Sequence, residues 1–207
     1  MTALDVVARP IARAARLPLL APLAARDFRL VWAGESISLL AEVSDAAAAR
    51  QASVDGARGI VVRGPLDRAA TELPLLWRAP GEARDAQTAE ADAYLVVVAD
   101  VQDDDGRLEL LHRDALQLGL DCVVEARSED ELEQALEQVD PEIFLLSADG
   151  DLDRVLELLP DVPAGKLAIA DAAGASAEEV AELERAGFDA VIVAAGDLAG
   201  LAGGGNS

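Results

Sequence analysis

From Ser38 onward, short and continuous apolar runs alternate with polar segments that carry helical spacing, and this happens eight times. The runs are SLLAEV (38–43), GIVVRG (59–64), PLLWRA (74–79), YLVVVADV (94–101), CVVEAR (122–127), IFLLSA (143–148), KLAIAD (166–171) and AVIVAA (190–195). Most are continuous rather than alternating, which means burial on both faces, as in parallel strands covered by helices. Two architectures accommodate such an order: a closed (β/α)8 barrel and an open, doubly wound sheet. No G-x-G-x-x-G follows the first run, so the dinucleotide-binding form of the open sheet has no support. The count of eight favours the barrel. Barrels of this kind usually take about 250 residues, so a 207-residue chain must build one with short loops.

Helix boundaries are written into the intervening segments. In SEDELEQALEQV, Leu132, Leu136 and Val139 share one face, Ser128 is placed to cap the N-terminus, and Glu131 stands three residues on to complete a capping box. SAEEVAELERAGFDA repeats the pattern with Ser176 and Glu179, turns Val180 and Leu183 inward, and stops at Gly187. Acidic residues crowd the first turns, where the helix dipole favours them.

Composition narrows the function. Hydrophobic residues make up 52% of the chain, enough for a substantial core, and aromatics only 3%, so that core is built of Ala, Val, Leu and Ile. Residues 1–36 hold five Arg against Asp5, Asp27 and Glu35, whereas the remainder sets 12 basic against 36 acidic residues. A field of that sign repels phosphate backbones and argues against nucleic acid as a partner. Apolar runs all fall short of the roughly 18 residues of a membrane span. Cys122 is the only cysteine and sits in an apolar run, where it reads as a small buried hydrophobe. The Arg-rich segment VVARPIARAARLPLLAPLAARDF is interrupted by Pro10, Pro18 and Pro22 and offers no convincing small-x-small cleavage site. It reads as a lead-in packed on the domain rather than a targeting peptide, which makes the expected location cytoplasmic. The expected organisation is a helical lead-in over 1–36, a barrel over 37–199 and a flexible tail, GLAGGGNS, over 200–207.

Three stretches, FRLVWAGESISLLAEV, LHRDALQLGLDCVVEARSEDELEQAL and LAIADAAGASAEEVAELERAGFDAVIVAAG, resemble indole-3-glycerol-phosphate synthases, from about Phe28 to Gly196. The resemblance implies a short (β/α)8 TIM barrel with trimmed loops and a reduced last helix. It also implies where the catalytic residues belong. The family's first-strand Glu is present as Glu42, but its Lys two residues on is Ser44 here. The third-strand Lys that supplies the general acid corresponds to Arg78, and the fifth-strand Glu is retained as Glu125. Later strands depart further: Ser147-Ala148-Asp149 ends the sixth, Asp171-Ala172-Ala173-Gly174 the seventh, and Ala194-Ala195-Gly196-Asp197 the eighth, where the family holds the substrate phosphate.

Arginine stays protonated at working pH, so Arg78 can orient an oxygen but cannot donate a proton to it. The only lysine, Lys166, begins the seventh strand, at the far end from the site. The expected site therefore comprises Glu42, Arg78, Glu125 and Asp171, with Ser147 and Gly196 at remnant substrate-binding positions. It is read either as a pocket remodelled for another small ligand or as polar groups that satisfy one another. An Arg among three carboxylates favours the second reading. No cofactor or metal is expected. His112 has no second His for a metal site, and the Asp103–Asp105 run lacks the spacing and terminal Glu of a calcium loop. The expected function is non-catalytic binding, scaffolding or regulation, against a weak or altered synthase. A reduced last helix would bare the first and eighth strands, which predicts self-association or a protein partner there.

Overall fold

The computed structural model describes Phe28, residues 36–102, Asp104 and residues 106–202. Eight parallel strands close into a barrel in chain order. They are β1 (Ser38–Glu42), β2 (Gly59–Val62), β3 (Leu75–Trp77), β4 (Ala93–Val97), β5 (Asp121–Ala126), β6 (Ile143–Leu146), β7 (Leu167–Asp171) and β8 (Ala190–Ala194). Closure is continuous, since β8 pairs with β1 from Ser38↔Ala190 to Glu42↔Ala194. Each apolar run has become a strand, though β4 stops at Val97. There the chain enters a 3-10 turn, Val98–Asp100, and buries Val98 in the outer core instead.

The helices are α1 (Ala46–Val54), α2 (Ala83–Thr88), α3 (Arg107–Gln117), α4 (Glu129–Gln138), α5 (Leu152–Leu158), α6 (Ala177–Ala186) and α7 (Leu198–Ala202). Between β2 and β3 only a 3-10 turn, Arg68–Ala70, stands in for a helix, so one of the expected alternations is missing. The α6 capping box forms in full between Ser176 and Glu179, and Gly187 ends the helix at φ 105°, a left-handed conformation that suits glycine. At α4 the pattern is modified. Ser128 Oγ accepts from Glu131 N–H, but the Glu131 carboxylate reaches back to the N–H of Arg127 rather than Ser128. The last helix is short, five residues, and carries the chain past the expected barrel end at 199, to Ala202. The lead-in expected over residues 1–36, apart from Phe28 and Ser36, lies outside the described residues, as do residues 203–207.

Two cores result from the strand pleat, because successive side chains point to opposite faces. One lies between sheet and helices and includes Ala41, Val124, Phe144, Val191 and Leu183. The other fills the lumen. Leu40, Leu76, Val123 and Ile169 come from the odd strands and Val61, Leu95, Leu145 and Ile192 from the even ones, with Phe28 buried in the same cluster. Four side chains per level from alternate strands is how such barrels pack. Outer faces of the terminal strands are covered: Ala41, Val191, Val193 and the α7 residue Leu198 are all fully buried. Exposed large apolar side chains among the described residues are Val54 and Leu116, far apart in the chain on α1 and α3.

Candidate functional site at the carboxyl end of the barrel

Two residues beyond Leu40, Leu76, Val123 and Ile169 stand Glu42, Arg78, Glu125 and Asp171. The pleat that buries the first set in the lumen therefore brings the second set together at the carboxyl end of the odd strands. This is the end at which (β/α)8 barrels keep their active sites.

Arg78 is the centre of this level. It follows β3 directly, and its backbone N–H still donates to the Val62 carbonyl at 2.8 Å, so the strand geometry aims its side chain inward. Its side chain is only 9% exposed. Nη2 donates to Asp171 Oδ2 at 2.5 Å and to Glu125 Oε2 at 3.3 Å. Nη1 lies 3.9 Å from Glu42 Oε2 and, though buried, makes no hydrogen bond. Burial opposes the guanidinium's charge, but the Asp171 hydrogen bond and the charges of Asp171, Glu125 and Glu42 outweigh it, and its pKa rises above the ordinary value.

Glu125 is 1% exposed and has a partner at each carboxylate oxygen. Its Oε1 accepts from Ser147 Oγ at 2.7 Å and from Arg127 Nε at 3.1 Å, while Oε2 faces Arg78. Ser147 is thus brought into the site, but its hydroxyl is taken up by the carboxylate. Gly196 sits in the 3-10 turn Ala195–Asp197 after β8, outside the charged level, and a Cβ there would meet nothing within 4 Å. Lys166 Nζ pairs with Asp140 at 2.7 Å and Glu142 at 3.6 Å beside the start of β7, at the opposite end of the barrel. His112 lies half-buried on α3, where burial lowers its pKa. Asp104 is exposed ahead of α3; Asp103 and Asp105 lie outside the described residues.

Two arginines complete the site that sequence reasoning passed over. Arg63, just past β2, donates Nε to Glu42 Oε1 at 2.6 Å, and Arg127, just past β5, holds Glu125. A usable signal existed: each continues the inward period-two register, Val61 to Arg63 and Glu125 to Arg127. The level thus holds three guanidinium groups against three carboxylates. It offers directed N–H donors for an oxyanion, and the chain's single lysine and single histidine, which could pass a proton, both lie elsewhere. A cavity of about 400 Å3 opens beside it, between the ends of β3, β4 and β5 and the start of α3.

A closed eight-stranded parallel barrel whose charged residues gather at the carboxyl end of its strands defines a (β/α)8 TIM barrel. Solved structures agree with that class. A mutant tryptophan synthase α-subunit from the hyperthermophile Pyrococcus furiosus superposes with a TM-score of 0.60 at 14% identity, covering 79% of this chain and 89% of that one. Triosephosphate isomerase from Bartonella henselae gives 0.57 at 11% identity, covering 77% and 93%. At these identities the likeness concerns the fold alone. Sequence comparison goes further, because the indole-3-glycerol phosphate synthase family profile matches residues 81–197. The indole-3-glycerol phosphate synthase of Leifsonia xyli subsp. xyli is 33% identical over 93% of this chain and 83% of its own length. That of Acidithiobacillus ferrooxidans is 32% identical over 61% of this chain, a match spanning about half of the relative, 51%. The chain belongs to the indole-3-glycerol phosphate synthase family.

Proposed function

We propose that this chain is a non-catalytic member of its family that acts by binding, as a scaffold or regulator, at the mouth of the barrel. The observation that carries this reading is the state of Arg78. At the position that the resemblance aligns with the acid-donating lysine stands a guanidinium locked to Asp171 and Glu125, with its charge reinforced. Ring closure with decarboxylation needs a proton delivered to a departing oxygen, and a guanidinium does not supply one. Glu125 is also held, with Oε1 accepting from Ser147 and Arg127 and Oε2 facing Arg78, so its carboxylate is tied into the ion cluster. The family's phosphate-holding eighth-strand loop is replaced by Ala195-Gly196-Asp197, whose carboxylate repels a phosphate dianion.

The test is complementation of a tryptophan auxotroph lacking indole-3-glycerol phosphate synthase, with a fluorescence assay for conversion of 1-(2-carboxyphenylamino)-1-deoxyribulose 5-phosphate. The expected result is no growth and no product, because loss of a general acid alone removes about 10²–10⁴ in rate. Growth that Glu125→Gln abolishes overturns the proposal in favour of a synthase with altered acid chemistry. The same reading includes a cytoplasmic location, and self-association or a protein partner at the β1/β8 side. A partner there would meet the short α7 rather than bare strands, since the strand faces are buried. No helix among the described residues is long and apolar enough to cross a membrane.

A further inference from the structure

We propose that the amino-end face of the barrel, opposite the mouth, is a docking surface for this chain's own Arg-rich segment, residues 1–27, which lies outside the described residues. The proposal is independent of what the mouth binds. Its first support is where the segment joins the described structure. Two residues before Val61, Leu95, Leu145 and Ile192, the even strands place Gly59, Ala93, Ile143 and Ala190 in the lumen. Three of those four are small, so they underfill this end, and close packing requires another side chain there. Phe28 is 1% exposed and buried in the same cluster. The ionic level around Arg78 occupies the carboxyl end of the lumen, so Phe28 enters from the amino end and delivers residue 27 to that face.

Charge is the second support. Segments 55–58, 71–74, 89–92, 118–121, 139–142, 161–166 and 187–189, which lead from helices or turns into β2–β8, hold nine carboxylates. Four cations stand at the same end, Arg58, Arg68, Lys166 and Arg185, so the face stays net negative when all of them are counted. Two of the four are held by carboxylates of this face: Arg68 by Asp92 at 2.7 Å, and Lys166 by Asp140 and Glu142 at 2.7 and 3.6 Å. Helix ends deepen the field. The carbonyl ends of the helices point toward this face, and α1 to α5 carry no basic residue in their last turns.

The segment supplies the opposite sign. Residues 6–26, VVARPIARAARLPLLAPLAAR, contain Arg9, Arg13, Arg16 and Arg26 and no acidic residue, in a chain whose formal net charge is −22. Complementary charge of this kind selects a partner and its orientation. The tether at Phe28 makes the segment the favoured occupant. It holds the arginines at an effective concentration on the order of millimolar, so individually weak surface pairs suffice, whereas a second copy must first be recruited from solution.

The test uses the sole lysine, Lys166, which stands on this face. The full chain carrying Cys122→Ala and Ala15→Cys is treated with a short amine-to-thiol cross-linker, and linked peptides are mapped by mass spectrometry. Yield is normalised to labelling of Lys166 by a monofunctional amine reagent, which corrects for its 12% exposure. The expected result is a link within one chain between position 15 and Lys166. Its yield should fall roughly tenfold when Arg9, Arg13 and Arg16 are all replaced by Glu. It should fall likewise in about 1 M salt, where the screening length drops to about 3 Å. A yield that neither change alters means that the tether alone brings the two groups together, and overturns docking. So does absence of a link while Lys166 still labels. Links found only between two chains overturn it as well, and assign the face to a neighbouring copy. None of these results bears on the non-catalytic reading of the mouth, which complementation decides.

Discussion

The same four strands carry two adjacent levels of the lumen, and the levels are opposites. Leu40, Leu76, Val123 and Ile169 form an apolar level; two residues on, Glu42, Arg78, Glu125 and Asp171 form an ionic one. Strand geometry is common to both, so the backbone does not dictate what fills a level. The apolar level removes surface from water and stabilises closure at about 25 cal/mol per Å2 buried. The ionic level loses solvation on forming and regains it through mutual pairing, so its net contribution to stability is small. A barrel can therefore lose its original chemistry at the upper level while the lower one keeps the fold.

The comparison is most easily broken in the lower level. Ile169→Ala, at a fully buried position, is expected to destabilise the chain by about 2–5 kcal/mol through lost burial and a residual cavity. Urea denaturation measures it, and a loss under about 1 kcal/mol would remove the apolar level from its role in holding the barrel. Arg78→Met comes next. It leaves Asp171 without its guanidinium, but Glu125 keeps Arg127 and Ser147, so the expected loss is roughly 2–3 kcal/mol, below the figure for a buried charge left wholly unpaired. A loss larger than that of Ile169→Ala would reverse the ranking of the two levels.

A smaller effect separates the outer core from both. Burial pushes the Cys122 thiol from 9.0 up to about 12 and the Tyr94 hydroxyl from 10.0 up to about 12. In the unfolded chain these groups lose their protons first, so within this window the unfolded state binds fewer protons and stability falls as pH rises. Their contribution is complete below about pH 9 and is lost progressively towards about pH 12. Urea midpoints at about pH 8 and about pH 10.5 should differ less in Cys122→Ala than in the unsubstituted chain; equal differences would remove Cys122 as a cause. The smallest effect belongs to the rim. Glu42→Gln breaks a pair whose partner Arg63 is 58% exposed, and the expected change is within about 1 kcal/mol in the same denaturation experiment.

What the sequence disclosed follows the same division. Eight strands, their parallel order and the α6 cap were readable because each rests on local signals: continuous apolar runs, a Ser-x-x-Glu start and a Gly stop. The four ionic residues were readable as strand ends. Their mutual pairing was expected from an Arg among three carboxylates, but which carboxylate Arg78 meets was not legible, since its contact with Asp171 spans 93 residues and is set by closure of the barrel. Arg63 and Arg127 stand inside the runs GIVVRG and CVVEAR, but at positions that the family resemblance does not mark, so they escaped.

Lys166 gives the molecule a practical orientation. It is the sole lysine of the chain, and it stands beside the start of β7, the end of the barrel remote from Arg78. Amine-directed reagents therefore have a single side-chain target, one that Asp140 and Glu142 hold at 12% exposure and keep slow to react. A tether or dye placed there, under conditions mild enough to leave the ion pairs closed elsewhere, would present every molecule with its arginine-lined mouth facing the solution.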